Sequence, residues 1–179
     1  EEHKKKIELI RAVREKLGTD IGMINGGGIR NNLYAGDVSY NDLLSVFPFG
    51  NNACIVSLTG AQLVDILEAS VRSLPLPSGR FMQVSGERYN CDASVASPVE
   101  FDDSGLFVGV RPGVPRRVSD VQVLDKTSGN YLPVELSRTY TLGGIDYNLV
   151  NLGSDGMFRY TTLLHSNQGL DVDVLAQFL

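Results

Sequence analysis

Residues 20–51 read DIGMINGGGIRNNLYAGDVSYNDLLSVFPFGN, and the rest of the chain is read outward from them. "DIGMIN" has the length and apolar content of a short strand. Glycines follow at 26, 27 and 28. Fixing a glycine costs more backbone entropy than fixing any other residue, so three in a row are not a choice of propensity. They fit a sharp turn, or a backbone that must approach a ligand closely. Asn25 before them offers an amide. Arg30 after them offers a guanidinium, which suits a planar or bidentate partner such as carboxylate or phosphate. The run has neither the Gly-Lys-Ser/Thr of a P-loop nor the G-x-G-x-x-G of a dinucleotide fold. Ser39 precedes Asp42 by three positions, an Asp variant of the capping box, which predicts a helix in "SYNDLLSVFP". In "FPFGN", Phe47 reads as core. Phe49 sits between Pro48 and Gly50 in a loop, where an aromatic either packs inward or offers a platform for a flat ring.

On the N-terminal side, Ile7, Ile10, Val13 and Leu17 recur at helical spacing, and Gly18 stands where an αL cap belongs. Lys4, Lys5 and Lys6 are read as a solvated helix face. On the C-terminal side, "NNACIVSLTG" alternates and predicts a strand. "TGAQLVDILEASVRSL" predicts a helix with Thr59 as N-cap, a buried face of Leu63, Ile66, Leu67 and Val71, and Pro75 as its stop. From about residue 80 to 145 short strand-like runs alternate with Gly, Pro, Asp and Ser. "DGMFRYTTLL" is mixed, and "LDVDVLAQFL" predicts a last helix. In "NLGSDGMF", Gly153 and Gly156 bracket Asp155, a tight turn whose carboxylate bonds local amides or vicinal hydroxyls. No repeat or linker divides residues 1–179. The pattern predicts one α+β domain of mixed β-sheets packed together with helices outside, layered α/β/β/α.

Composition narrows the function. The 179 residues carry 16 basic and 21 acidic side chains, a net charge of −5 that argues against a nucleic-acid polymer as partner. A mononucleotide needs only one or two cations and stays possible. No apolar run reaches the roughly 18 residues of a membrane span. Two cysteines and two histidines, His3 and His165, are too few for most metal centres built from those residues. No signal-peptide pattern is visible, which fits a mature or truncated product. No Ser/His/Asp order, Cys/His pair or carboxylate dyad stands out, so no catalytic residue is assigned.

Taken together, "MINGGGIRNNLYAGDVSYNDLLSVFPFGN", "LTGAQLVDILEASV", "GRFMQVSG" and "NLVNLGSDGMF" resemble the C-terminal domain of the 5′-nucleotidase family, in the family's order. That family includes UDP-sugar hydrolases, cyclic-nucleotide phosphodiesterases and ecto-5′-nucleotidases. The resemblance implies a substrate-binding domain that positions a nucleoside 5′-monophosphate for hydrolysis. A separate metallophosphoesterase domain or chain would hold two divalent metal ions, and this domain no cofactor or metal. It implies an exported protein, periplasmic or at the cell surface. Carried over residue by residue, Asn25 and Arg30 would meet the phosphate or ribose side, with Gly27 among the substrate-binding residues. Phe49 would stack on the base, Ser85 and Gly86 would approach it, and Asp155 would hold the ribose hydroxyls.

Two departures stand out. The family's second stacking aromatic falls on Leu149 here, and Tyr147, two residues earlier, is not given that role. The family's opening Arg- and Asn-bearing stretch is replaced by "EEHKKKIELI", so one phosphate-binding Arg is missing or lies upstream. These departures motivate an alternative, a stand-alone nucleotide-binding module without hydrolase function. Arg72, Arg80, Arg88, Arg116 and Arg117 are read as surface charge. Cys54 and Cys91 either pair, if their strands are neighbours, or remain free thiols.

Overall fold

The computed structural model describes residues 2–34 and 36–178, with side chains from Leu9 onward. The expectations for His3 and Ile7 fall on side chains outside those described. Helix α1 (Glu2–Leu17) ends at Gly18, whose φ of 67° is the left-handed cap. Strand β1 (Ile21–Asn25) leads into a 3-10 turn at Gly26–Gly28. Helix α2 (Tyr40–Val46) starts with the predicted capping box: Ser39 Oγ accepts from the Asp42 amide at 3.3 Å, and the Asp42 carboxylate accepts from the Ser39 amide at 2.8 Å. Strand β2 (Ala53–Thr59) runs directly into α3 (Gly60–Val71), capped in the same way by Thr59 and Gln62. Then come β3 (Met82–Ser85), β4 (Glu87–Cys91), β5 (Val99–Phe101), β6 (Phe107–Val110), β7 (Val118–Leu124) and β8 (Tyr131–Pro133). Strand β9 (Thr139–Ile145), a one-turn helix α4 (Asp146–Leu149), β10 (Thr162–His165) and α5 (Asp171–Ala176) complete the chain.

Five strands form the central sheet in the order β10-β2-β9-β1-β3. Its pairings are antiparallel except β1 with β9, which run parallel. Strand alternation sends Ile21 and Met23 to one face and Ile24 to the other. On the Ile24 side the core is built with Ile10 and Val13 of α1, Leu43 and Val46 of α2, and Val172 and Leu175 of α5. Gly22 lets α1 lie directly on the strand: a Cβ there would be 2.9 Å from Arg14 Cβ and 3.0 Å from the Ile10 carbonyl oxygen. On the other side Leu63, Ile66 and Leu67 of α3 pack with Val118, Val121 and Val123 of β7. Each such side chain contributes about 1.5–3 kcal/mol by leaving water. The α+β class and the mixed sheets are as expected. Helix α3 takes an inner place, between the central sheet and the smaller sheets β4-β7-β8 and β5-β6.

Not every arginine is surface charge. Arg117 is buried and closes the end of α3. Its Nη1 donates to the carbonyls of Val71, Arg72 and Leu74 at 3.1, 3.2 and 2.9 Å, and its Nε to Val95 at 2.6 Å. It satisfies carbonyls that a helix end leaves without donors. Arg88 and Arg116 do lie at the surface, bonded to Gln122 and Asp65. The cysteines stay unpaired, because Cys54 is buried in the central sheet and Cys91 is exposed at the end of β4 in another sheet. The Cys54 thiol donates to the Ser166 carbonyl at 3.1 Å, and burial pushes its pKa up to about 11.

Candidate functional site

Strands β1 and β9 run parallel, so their C-terminal ends, Asn25 and Ile145, come to the same edge of the sheet. A crevice beyond the carboxyl ends of parallel strands is where open α/β sheets take their ligands. Here a cleft of about 430 Å³ opens between those two residues, Phe49, Tyr147 and the segment at Gly79. That volume suits a nucleoside-sized molecule.

The glycine turn builds one wall by backbone contact. The amide of Gly27 donates to the Gly79 carbonyl at 2.9 Å, and that of Gly26 to Phe81 at 2.7 Å. A Cβ on Gly27 would stand 3.1 Å from the Gly79 oxygen and 3.3 Å from its Cα, so a side chain there would crowd this crossing. Asn25 also donates its Nδ2 to Gly79, at 3.2 Å. Its Oδ1 is buried and has no partner among the described residues. Such an acceptor is unusual in a folded chain and invites a donor from a ligand.

Two aromatic rings line the same space. Phe49 is 60% exposed and Tyr147 is 46% exposed. Both would be poorly placed if packing were their only role. Leu149, the residue nominated as the second stacking position, is instead buried in the core. It packs on Gly144, where a Cβ would be 3.1 Å from Leu149 Cδ1. Two residues apart on one helical turn point to nearly opposite sides, so burying Leu149 turns Tyr147 outward. Gly153 supports that ring from behind: its amide donates to the Tyr147 carbonyl at 2.8 Å, and a Cβ there would be 2.6 Å from ring atom Cε1. Asn51 and Ser154 also line the cleft.

The other nominated residues are placed differently. Arg30 is exposed, does not line the cleft, and turns its Nη1 to the Gly27 carbonyl at 3.3 Å. Ser85 and Gly86 lie at the wrong end of β3. That strand is antiparallel to β1, with Met82 opposite Asn25 and Ser85 opposite Gly22, so Ser85 is about 10 Å along the strand from the cleft. Gly86, at φ 81°, serves packing: a Cβ there would be 2.3 Å from the Asp20 carbonyl oxygen.

Asp155 stands beside the cleft in a left-handed turn, with φ of 55°, 60° and 67° at Ser154, Asp155 and Gly156. Two arginines engage its carboxylate, which the family resemblance assigned to ribose hydroxyls alone. Arg72 Nη2 donates to Oδ2, and Arg80 Nε donates to Oδ1 at 3.1 Å. Arg72 is mostly buried and also stacks over Phe101, 5.3 Å from the ring centre. Burial lowers its pKa and the charge of Asp155 opposes that. Arg80 lines the cleft. So Tyr147, Asn51, Ser154 and Arg80 are the polar and aromatic lining residues that sequence reasoning did not assign. Asn51 is the last letter of "FPFGN", and Arg80 lies inside "GRFMQVSG". Among the described residues no group of three or more His, Cys, Asp or Glu side chains is arranged to hold a metal ion. Nor is any helix among them long and apolar enough to cross a membrane.

Known proteins resemble this chain in sequence and fold. The chain is 37% identical over 173 residues to protein UshA of Escherichia coli K12, covering 96% of this chain and 26% of that protein. It is 28% identical over 157 residues to the trifunctional nucleotide phosphoesterase protein YfkN of Bacillus subtilis, covering 88% of this chain and 9% of that one. It therefore spans only a minor part of these curated relatives. The crystal structure of a 5′-nucleotidase precursor from Thermus thermophilus superposes with a TM-score of 0.78 at 26% identity, over 97% of this chain and 31% of that one. The family model described as "5'-nucleotidase, C-terminal domain" matches residues 8–163, nearly the whole of the central sheet and all of the cleft. By that match the chain belongs to the family of 5′-nucleotidase C-terminal domains.

Proposed function

We propose that this chain is the nucleoside-binding part of a 5′-nucleotidase-like phosphohydrolase. It positions a nucleoside 5′-monophosphate for hydrolysis by a metallophosphoesterase domain or chain. The observation that carries this reading is the cleft itself, where two half-exposed aromatic rings and an unpartnered buried acceptor share one space at the ends of β1 and β9. A base has two π faces and donors at its edge, and such a set of groups answers both. The two divalent metal ions belong to the partner domain in this reading. In this reading no bond-breaking step is assigned to this chain. Its contribution is orientation, which in favourable cases is worth several kcal/mol of barrier. The reading carries with it an exported protein, in the periplasm or at the cell surface. The alternative, a stand-alone binding module without hydrolase function, drew on Leu149 and on the replaced opening stretch; Tyr147 offers a ring where Leu149 does not, which speaks against the first of these two motives.

The test is calorimetric titration of the chain with adenosine and uridine. Phe49→Ala and Tyr147→Ala should each weaken binding by about 5- to 150-fold, the 1–3 kcal/mol of one base–aromatic contact. Phe49→Ala should leave the melting temperature unchanged, since that ring is largely in solvent. A wild-type chain that binds no nucleoside, or variants that bind as the wild type does, would sink the proposal.

A further inference from the structure

We infer that Arg80 is the anion-recognising residue of the cleft. It takes the 5′-phosphate of a nucleotide and sets the preference for nucleotide over nucleoside. This rests on the reading of the cleft as a nucleoside site.

Among the described residues, Arg80 is the one charged side chain that lines the cleft. Its guanidinium is half used. Nε is held by Asp155 at 3.0–3.1 Å, and neither terminal nitrogen makes a hydrogen bond within the described chain. Held at one edge, the fork keeps its other donors for a partner of matching plane, which is the geometry of phosphate recognition by arginine. Arg30, which the family resemblance placed on the phosphate side, does not line this space, and its Nη1 is turned to the Gly27 carbonyl.

Charge balance says which arginine is free to act. Asp155 carries one negative charge and faces two guanidinium groups, so the trio holds a surplus of one positive charge. Arg72 has the stronger claim on the carboxylate. Its side chain is 11% exposed, and a desolvated charge without a partner is strongly destabilising. Arg80 is 56% exposed and can take a second anion without stranding a buried charge. Asp155 thereby neutralises one arginine and aims the other.

The surroundings hold that aim. The residue before Arg80 is Gly79, whose carbonyl accepts from both Gly27 N and Asn25 Nδ2, so the backbone beside Arg80 is pinned to the glycine turn. Across the cleft edge, Ser154 and Asp155 both adopt positive φ, a conformation that residues with a Cβ seldom take. Strained backbone of this kind persists where neighbouring contacts over-determine it, and it clusters at ligand sites. Here the turn delivers a carboxylate to Arg72 and Arg80.

The experiment is titration of the 179-residue chain, as wild type, Arg80→Gln and Arg80→Lys, with adenosine and with AMP. The wild type should bind AMP at least about tenfold more tightly than adenosine, the effect of a charge-assisted pair. Arg80→Gln should bind adenosine as the wild type does and lose the advantage of AMP. Arg80→Lys should keep part of it, because the charge remains and the fork does not. The inference is overturned if Arg80→Gln keeps the preference for AMP, or if the wild type binds adenosine but shows no such preference. Either result leaves the nucleoside reading standing. A wild type that binds neither ligand overturns both.

Discussion

Replacing Gly153 by alanine isolates the support behind Tyr147. The backbone there has φ −59° and ψ 159°, which alanine adopts freely, so any cost is steric. The new methyl would start 2.3 Å from the Tyr147 carbonyl oxygen and 2.6 Å from its ring. Ordinary contact requires about 1 Å more. The loop and the ring must therefore separate, and the 2.8 Å bond from Gly153 N to Tyr147 O is the first thing lost. Overpacking costs about 1–3 kcal/mol and the hydrogen bond about 1 kcal/mol, so the variant should lose about 2–4 kcal/mol of stability. For a domain of this size that is a fall in Tm of roughly 4–16 °C. Far-UV circular dichroism melts measure it, and nucleoside titration of the folded variant measures the displacement of the ring. A Gly153→Ala chain that melts with the wild type and binds nucleoside equally well would refute the argument that this glycine holds Tyr147 in the cleft.

Two further predictions concern buried charge. Both carboxylate oxygens of Glu87 are buried with no hydrogen-bond partner among the described residues, and burial holds its pKa well above the ordinary value of 4.5. The folded chain keeps a proton there that the unfolded chain releases. The group's contribution to stability is present below pH 4.5 and is lost as pH rises through the folded pKa. Glu87→Leu should therefore melt above the wild type at about pH 8, with a smaller gap at about pH 5, and an equal gap at both would contradict this. Arg117→Ala leaves the carbonyls of Arg72, Leu74 and Val95 without this donor. Urea titration should show a loss of about 3 kcal/mol, and a loss well under about 1 kcal/mol would mean those carbonyls find other donors.

Local signals were legible where local physics decides. Ser39 with Asp42 and Thr59 with Gln62 close their capping boxes within four residues, so α2 and α3 could be read from the letters. So could the glycine turn and Phe49. Strand β5 was not seen, because three residues at Val99–Phe101 give no alternation to read. The site residues that were misplaced depend on register and helical phase. Ser85 and Gly86 belong to a block that touches the cleft only at its other end, a fact settled by Met82 pairing with Asn25. Leu149 and Tyr147 exchange roles because a single helical turn separates inside from outside. The arginines were least legible of all. Arg72, Arg80 and Arg117 have the same side chain, and only distant partners at Asp155, Val95 and Leu74 distinguish a core cation from a helix cap or a cleft donor.

The place of β9 has a consequence for how the chain is made. This strand lies between β1 and β2, and without it those two have no shared edge. It is also encoded at residues 139–145, so an emerging chain carries both partners long before their common neighbour appears. Pairings across such sequence distance slow folding, because the loop between them must close first. A fragment ending before residue 139 would display the unpaired edges of β1 and β2 together, a template for association with other copies. The cleft opens at the end of the β1–β9 pair, so it is completed only with this late closure of the sheet.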